Sequence, residues 1–522
     1  MDASLESRLQ HIFGSAGKIQ LDHGIEKEAL RISRDGYLSR KPHPAELGAA
    51  LTHESITTDF SESQLEFVTR VHSSIDDCLA ELDDIHRFVY GIIEGERLWP
   101  ASMPCMLRGE SSIPIADYGS SNVGRVKSIY RTGLAYRYGR YMQSISGLHY
   151  NFSIPDSLWQ LRAESQGESD SREFRDDSYM SLIRNFRRLA WLPIYLFGSS
   201  PAVCGSFIST AAHGLNELDG ESFYLPYATS LRMGPLGYQS TAQASHYISY
   251  NSLDGYVQDM VVALSKPYEP YEKIGTRTPA GEYKQLSTAL LQIEAESYGT
   301  IRPKPLSEYG LRPIESLRRN GIEYLEVRCL DLNPFLRTGI DSATARFLDA
   351  MLIYCWLIPS ASDSAITWQE IQENQLITVQ SGRDPAVSLR LDGKERMLQD
   401  WALEVLGAIE EVCSFIDTLS ATTAYRSSWE VQQRKVLDPD TTPSAQILAR
   451  MKGSQLSYYR LIDSLANKHQ REFLETPLSG DRIDRFEEMS RKSLQMQEEL
   501  ERSETQSFEQ HLDDYMHLDA RK

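Results

Sequence analysis

Residues 24–32 read Gly-Ile-Glu-Lys-Glu-Ala-Leu-Arg-Ile, and as a β-strand this stretch puts both carboxylates, Glu26 and Glu28, on one face. Their backbones then stand about 6.6 Å apart, where two like charges repel by about 2.5 kcal/mol at an effective dielectric of about 20. Lys27 points to the opposite face, and an exposed ion pair returns only about 0–1 kcal/mol, so it does not offset the repulsion. Such a face is either open to screening water or built to hold metal.

Three further segments favour metal. Residues 57–69 pass from a polar turn into a strand-like run and supply Asp59 and Glu66. Residues 147–154 alternate so that His149 and Asn151 share a side while Leu148, Tyr150 and Phe152 take the other. In residues 322–330, Tyr324, Glu326 and Arg328 fall on one face and Leu325 and Val327 on the other. Taken singly, each acid reads as a solvated strand residue and His149 as a hydrogen-bonded core histidine. Their recurrence on separate apolar strands, each with one polar face, is what points to a site.

A chain of 522 residues, 41% hydrophobic, can bury a large core. Its formal charge of −19 argues against a nucleic-acid surface. The first 17 residues mix both charge signs without a signal-type apolar core. The longest apolar runs, Leu189 to Gly198 and Phe347 to Pro359, are too short to span a bilayer. A cytosolic protein without membrane partners is expected. Six cysteines, Cys78, Cys105, Cys204, Cys329, Cys355 and Cys413, show no Cys-x-x-Cys spacing and read as buried free thiols rather than a regulatory disulfide.

Helices are expected at Leu5 to Phe13 and, from apolar residues at helical spacing, at Ile75 to Ile93. Gln160 to Asp177 is polar enough to read as an exposed loop or a helix end, and His213 to Ser222 as a second polar insertion. From about Ser342 the pattern is mainly helical, with segments at Ala343 to Leu357, Glu395 to Leu419 and Ser444 to Met451. A charged region after Asp481 reads as a solvated helical cap. The expectation is one catalytic unit over 1–522, with a sheet-containing core at about 20–340 and a mainly helical part at about 342–522.

Clustered carboxylates on a sheet suit hard cations, chiefly Mg²⁺, and such ions commonly serve nucleotide phosphates; an imidazole among them also suits Mn²⁺. Phosphoryl transfer becomes the leading chemistry although neither Gly-x4-Gly-Lys-Ser/Thr nor Gly-x-Gly-x-x-Gly occurs. Phosphate charge would then be met by metals and by Arg328, with Arg302 and Lys304 as candidates. Residues 122–141 interleave Arg125, Lys127, Arg131, Arg137 and Arg140 with four tyrosines. That segment reads either as solvated surface or as a site for an acidic substrate.

At these segments the chain resembles the glutamate-cysteine ligases of the gamma-proteobacterial type. The likeness rests on Gly24-Ile-Glu-Lys-Glu-Ala-Leu-Arg31, Leu51-Thr-His-Glu-Ser-Ile-Thr-Thr-Asp-Phe60, Trp99-Pro-Ala-Ser-Met-Pro-Cys105 and Tyr118-Gly-Ser-Ser-Asn-Val-Gly-Arg125. It continues through Ile145-Ser-Gly-Leu-His-Tyr-Asn-Phe152, Ser230-Leu-Arg-Met-Gly-Pro-Leu-Gly-Tyr238 and Glu323-Tyr-Leu-Glu-Val-Arg328. The resemblance implies an α/β (α+β) fold: a glutamine-synthetase-like curved, largely antiparallel sheet with helices on its convex side and a helical C-terminal part. It implies ATP-dependent joining of the L-glutamate γ-carboxylate to the amine of L-cysteine through γ-glutamyl phosphate. It also implies two or three Mg²⁺, with Mn²⁺ as a substitute, feedback inhibition by glutathione, and a monomer. Carried over by position, the metal ligands fall on Glu26, Glu28, Asp59, Glu66, His149 and Glu326. Arg232 would hold the glutamate carboxylate, and Arg328 and Arg131 would steady the phosphoryl group. Phe60, Tyr130, Leu134, Gln143 and Tyr238 would wall the cysteine pocket. Another carboxylate-amine ligase with a different amine, and a non-catalytic sensor on the same fold, are the rivals; an intact acidic set argues against the second.

Overall fold

The computed structural model describes residues 4–14, 20–104, 106–208, 214–237, 242–243, 246–306 and 311–517. At its centre is a seven-stranded sheet: β1 (Asp22–Ser33), β2 (Ile56–Thr58), β3 (Gln64–Val68), β4 (Glu96–Leu98), β5 (Leu148–Ser153), β6 (Ile301–Lys304) and β7 (Tyr324–Leu330). Their order is β2-β3-β1-β5-β7-β6, β4 pairs with the end of β1, and every pairing is antiparallel. The strands expected from alternation are therefore neighbours. Register sets Glu28 opposite Glu66, Glu26 opposite His149, and Asn151 opposite Glu326. Because side chains alternate with period two, a one-residue slip of any strand would turn its acid to the other face.

That other face is apolar. Ile25, Ala29, Leu65, Phe67, Tyr150, Phe152, Leu325 and Val327 are each at most 1% exposed. They share one core with Leu82 and Ile85 of the helix Ile75–Ile92, Ile183 and Phe186 of Arg172–Leu189, and Phe347 and Met351 of Ser342–Leu357. Ser74 starts the first of these helices by accepting a hydrogen bond from the Asp77 amide, an N-cap that satisfies one of the orphan donors of the first turn. Lys27 does face away from Glu26 and Glu28, but it is buried, with Nζ 2.6 Å from His86 Nε2. A second apolar cluster joins Phe60, Trp99, Met103, Tyr130, Leu134 and Leu231.

Of the two forms expected for the polar stretch Gln160 to Asp177, the structure shows helix ends around an exposed break. The stretch lies mostly in two helices, Asp156–Gln166 and Arg172–Leu189, with the break between them at 167–171. A few residues carry the packing: Trp159 is 1% exposed, and the Arg162 guanidinium stacks over Trp356 at 4.5 Å. Downstream of Ser342 the structure is helical as expected, apart from a hairpin, Ser388–Leu391 with Lys394–Met397. It turns on Asp392 and Gly393, both at positive φ, a dipeptide suited to a two-residue hairpin turn. The charged C-terminal region forms Gly480–Ser503 and Phe508–Met516. The first of these docks where Ser493 Oγ accepts from the Ala49 amide at 2.9 Å and Ser493 O accepts from Thr52 Oγ1 at 2.6 Å. Five cysteines are buried free thiols; Cys105 lies outside the described residues. No described helix is long and apolar enough to cross a membrane.

The helical part is tied to the sheet at Asp349 on Ser342–Leu357. This fully buried carboxylate accepts from Tyr150 Oη at 2.7 Å and Tyr425 Oη at 3.2 Å and lies 2.9 Å from His23 Nε2. Removing it would leave three buried groups without their common acceptor. Asp349→Ala is expected to lower unfolding stability by roughly 3 kcal/mol, read by urea unfolding, while Asp349→Asn loses less. Equal losses would show that the hydrogen-bond network contributes little.

Candidate active site

β1, β3 and β7 deliver acids to one basin, and β5 delivers His149. One ligand atom each from Glu26, Glu66 and His149 lie within 4.8 Å of one another. Around them, His149 Nδ1 is 3.1 Å from Glu26 Oε2 and 3.6 Å from Glu326 Oε1, and His149 Nε2 is 3.8 Å from Glu28 Oε1. The Asn151 amide donates to Glu26 Oε1 at 2.8 Å. Asp59, on the turn between β2 and β3, acts on the basin by its charge, which helps to push both Glu28 and Glu66 up. Glu26, Glu66 and His149 thus converge, Glu28 and Glu326 stand beside His149, and Asp59 lies within electrostatic reach.

The basin has two electrostatic ends. At one, burial and then the charge of Asp59 raise Glu28 to about 8, while burial and neighbouring carboxylates raise Glu66 well above the usual range. Among the described residues the Glu28 carboxylate accepts from the Gly147 amide at 2.7 Å and the Gln64 side-chain amide at 3.5 Å. At the other end, burial pushes Glu326 up, but Arg328 and Lys304 outweigh it and hold this carboxyl well below the usual range. Arg328 Nη1 donates to Glu326 Oε2 at 2.9 Å, Lys304 Nζ stands 3.4 Å from Oε1, and Arg302 Nη1 stands 3.7 Å from Oε2. Glu26 is also held low: burial opposes this, but His149 and Lys304 prevail.

Carboxylates with one imidazole make a donor set for a hard divalent ion. His149 Nε2 and Asn151 Oδ1 are buried without a hydrogen-bond partner, as atoms reserved for a ligand would be. The residues fit a divalent cation.

Arg232 comes to the basin through a separate scaffold. Asp331, just past β7, accepts from the Ser199 amide, Ser200 Oγ and Ser230 Oγ at 2.7–2.9 Å. Ser200 Oγ in turn accepts from the Arg232 amide at 3.3 Å. The guanidinium is fully buried, donates through Nη2 to the Arg328 carbonyl at 3.0 Å, and lies over Gly147. A Cβ at position 147 would stand 2.0 Å from Arg232 Nη2, so a side chain there would displace the guanidinium from its present place. Arg131 Nε donates to the Asp59 carbonyl and its guanidinium stacks on Tyr118 at 4.5 Å.

The remaining cations of the 122–141 segment do other work. Arg137 forms a fully buried pair with Glu296 at 2.8 Å, Arg140 donates to the Ile113 carbonyl, and Arg125 stacks on Phe508. Lys127 Nζ stands over the Tyr118 ring at 5.1 Å, beside Arg131, so these two cations of the segment are the ones near the basin. Phe60, Tyr130 and Leu134 are buried together in the second apolar cluster. Gln143 donates to Tyr298 Oη at 3.2 Å, which adds a tyrosine that sequence reasoning missed; no local pattern around Tyr298 marks it. Tyr238 lies outside the described residues.

A family model for glutamate-cysteine ligase matches residues 14–378. A glutamate-cysteine ligase of Pseudomonas entomophila is 47% identical over 488 residues, 93% of this chain and 92% of that protein. One from Pseudomonas aeruginosa is 45% identical over 515 residues, 97% of each. The chain belongs to the glutamate-cysteine ligase family. It is an enzyme of that family, and its reaction is the ATP-dependent formation of γ-glutamylcysteine. The crystal structure of the Francisella tularensis glutamate-cysteine ligase, a complex with AMP, superposes with TM-score 0.90 at 35% identity over 96% of this chain and 98% of that one. The fold also matches a bifunctional glutathione synthetase from Pasteurella multocida, TM-score 0.71 at 24% identity, over 93% of this chain and 57% of that one.

Glu28 gives a signed test. An acid held above its unfolded value contributes stability that is present in full below about 4.5 and is lost as pH rises through about 8. In EDTA-treated protein, Tm is expected to fall from about pH 5 to about pH 9, and Glu28→Gln to flatten that fall. Parallel pH profiles for the two proteins would reject the shift.

Proposed function

We propose that this ligase works in two displacements. The γ-carboxylate of L-glutamate attacks the γ-phosphorus of ATP, and the bond to the β-γ bridging oxygen breaks to release ADP. The L-cysteine amine then attacks the acyl carbon of γ-glutamyl phosphate, the carbon–oxygen bond to phosphate breaks, and the amine loses a proton, leaving γ-glutamylcysteine for glutathione biosynthesis. A carboxylate alone is a poor acyl donor because oxide is its leaving group; phosphorylation replaces oxide with phosphate. The observation that carries this reading is the basin itself, crowded with carboxylates at one end and supplied with Arg328, Lys304 and Arg302 at the other.

Glu26, Glu28, Asp59, Glu66, His149 and Glu326 would hold two or three Mg²⁺, or Mn²⁺, which when bound neutralise charge gathering on the transferred phosphoryl group. Arg328 and Arg131 would steady that group from the protein side. Arg232, desolvated over Gly147, would bind the α-carboxylate of glutamate, and its burial strengthens such a pairing. Phe60, Tyr130, Leu134, Gln143 and Tyr238 would enclose the cysteine side chain. Glutathione carries both amino-acid moieties and would occupy the same surface as a feedback inhibitor of a monomeric enzyme, with the whole chain acting as one catalytic unit.

ADP release measured over a panel of amines tests the reaction: it is expected only with glutamate, cysteine, ATP and Mg²⁺ together, and ammonia serving equally well would reject cysteine as the acceptor. Glu326→Gln should lower kcat at least about a hundredfold without loss of folding; normal turnover would remove Glu326 from the ligand set. Arg232→Lys, which keeps the charge but not the fork, should raise the glutamate KM about tenfold and leave the cysteine KM within about twofold. An effect confined to cysteine would mean the two amino-acid sites are exchanged.

A further inference from the structure

A cavity of about 460 Å³ opens where the helix Leu5–Phe13 meets Asp156–Gln166, Arg172–Leu189 and residues 357–360. It lies across the core from the acidic basin. Two of its wall residues, Ile12 and Leu357, belong to the apolar cluster that covers Ile25, Tyr150 and Phe152 on the sheet face turned away from the acids. In that cluster Trp356 meets Phe13 and Trp159 edge to face, at 6.2 and 5.3 Å. None of the metal or substrate residues expected in the basin lines the cavity. Glutamate, cysteine or ATP reacting in the basin is therefore separated from it by the packed core.

Among the described residues no carboxylate lines this cavity. The Arg162 guanidinium, on its wall, makes no hydrogen bond or ion pair and is held only by stacking over Trp356 at 4.5 Å. Its Nε is buried without a partner; Nη1 and Nη2, equally unbonded, are not enclosed, so they are the atoms that face the cavity. Burial and then the like charge of Arg8 push this guanidinium down to about 10, and no acid opposes them, because Asp363 and Asp177 act on Arg184 instead. An arginine buried without a counter-charge is unfavourable, and a bound anion removes that penalty. Further donors face the same space. Ser181 Oγ and Ser360 Oγ accept from Arg184 Nη2 and Nε at 2.9 and 3.0 Å. Those bonds use oxygen lone pairs, so each hydroxyl keeps its own proton to donate. Arg8, whose Nη1 donates to the Leu357 carbonyl at 2.7 Å, adds positive charge, and His11 adds a ring nitrogen. Arg162, Ser181 and Ser360 stand on three separate elements. Donors spread in this way match the oxygens of a tetrahedral phosphate, where one planar carboxylate would leave some of them unused.

We propose that this cavity is an anion site outside the active site, built for a phosphate dianion, either the free ion or the head group of a small phosphomonoester. Calorimetric titration of inorganic phosphate into the full-length enzyme tests it, at constant ionic strength and with glutamate, Mg²⁺ and a non-hydrolysable ATP analogue saturating the basin. One phosphate per chain should bind, with a Kd of about 1 mM or below. Arg162→Met, which keeps an unbranched stem over Trp356, should weaken binding at least about tenfold. Ser360→Ala, a half-buried position outside the helices, should weaken it about threefold and carries the test alone if the first variant does not fold. A second titration, with glycerol 3-phosphate, separates the sources: tighter binding than phosphate supports the head group, and equal or weaker binding supports the free ion. Binding of neither, binding abolished by the ATP analogue, or binding unchanged by the substitutions would overturn the site.

Discussion

The structure is organised by a repulsion. Glu28 and Glu66 face each other across β1 and β3, and Glu26 and Glu326 approach His149 from β1 and β7. A sheet face so crowded works against its own folding, because burial raises the energy of every charged carboxyl. The apolar face supplies the compensation. Antiparallel strands whose alternate residues are buried to 1% or less fix the register firmly enough that the acids have nowhere else to point. The two ends of the basin then differ by what lies beside them. Glu28 and Glu66 lie under the charge of Asp59, which Arg232 and Arg131 offset only in part, while Glu326 has three cationic side chains within 4 Å. Cations are drawn to the first end and anionic groups to the second, so the protein's own charges already set a direction across the site.

The side chains around the basin are held from outside the sheet. Arg232 stands on a turn anchored through Ser200 and Ser230 to Asp331, itself one residue beyond β7. Movement of β7 would therefore carry Arg232 and Arg328 together. Gly147 completes the arrangement by two properties of one residue. Its amide donates to Glu28, and its missing Cβ makes room for the Arg232 guanidinium. A small residue that places a carboxylate and an arginine at once leaves little freedom for either to drift.

Much of this was readable along the chain because strand alternation is a local property. Glu26, Glu28, His149, Asn151, Glu326 and Arg328 were placed on faces by a period of two, and the structure keeps those faces. What alternation could not give was which strands neighbour which; that is fixed by pairings between residues as distant as 26 and 149. The polar stretch at 160–177 left a loop and a helix end open because a run of polar residues suits either; what decides for the helix is packing at its edge, where Trp159 and the Arg162 guanidinium are anchored. The hairpin at 388–397 carried a clear Asp-Gly signal that a helical reading of the region passed over. Tyr298 and Asp331 had no signal: each matters through a partner far away in sequence.

Around Tyr298 lies a different kind of constraint. Arg137 and Glu296 form an ion pair with both side chains fully buried, and Tyr138 Oη donates to the same carboxylate oxygen. Desolvating two charges offsets most of their attraction, so such a pair adds little net stability over an apolar equivalent. Its effect is geometric. Gln243 donates to the Glu296 carbonyl and accepts from the Tyr298 amide, and the Tyr138 and Tyr298 rings meet edge to face at 5.9 Å. The pair thus pins the turn from which Tyr298 reaches Gln143. An apolar substitute could fill the volume, but it would not fix the direction of that hydroxyl.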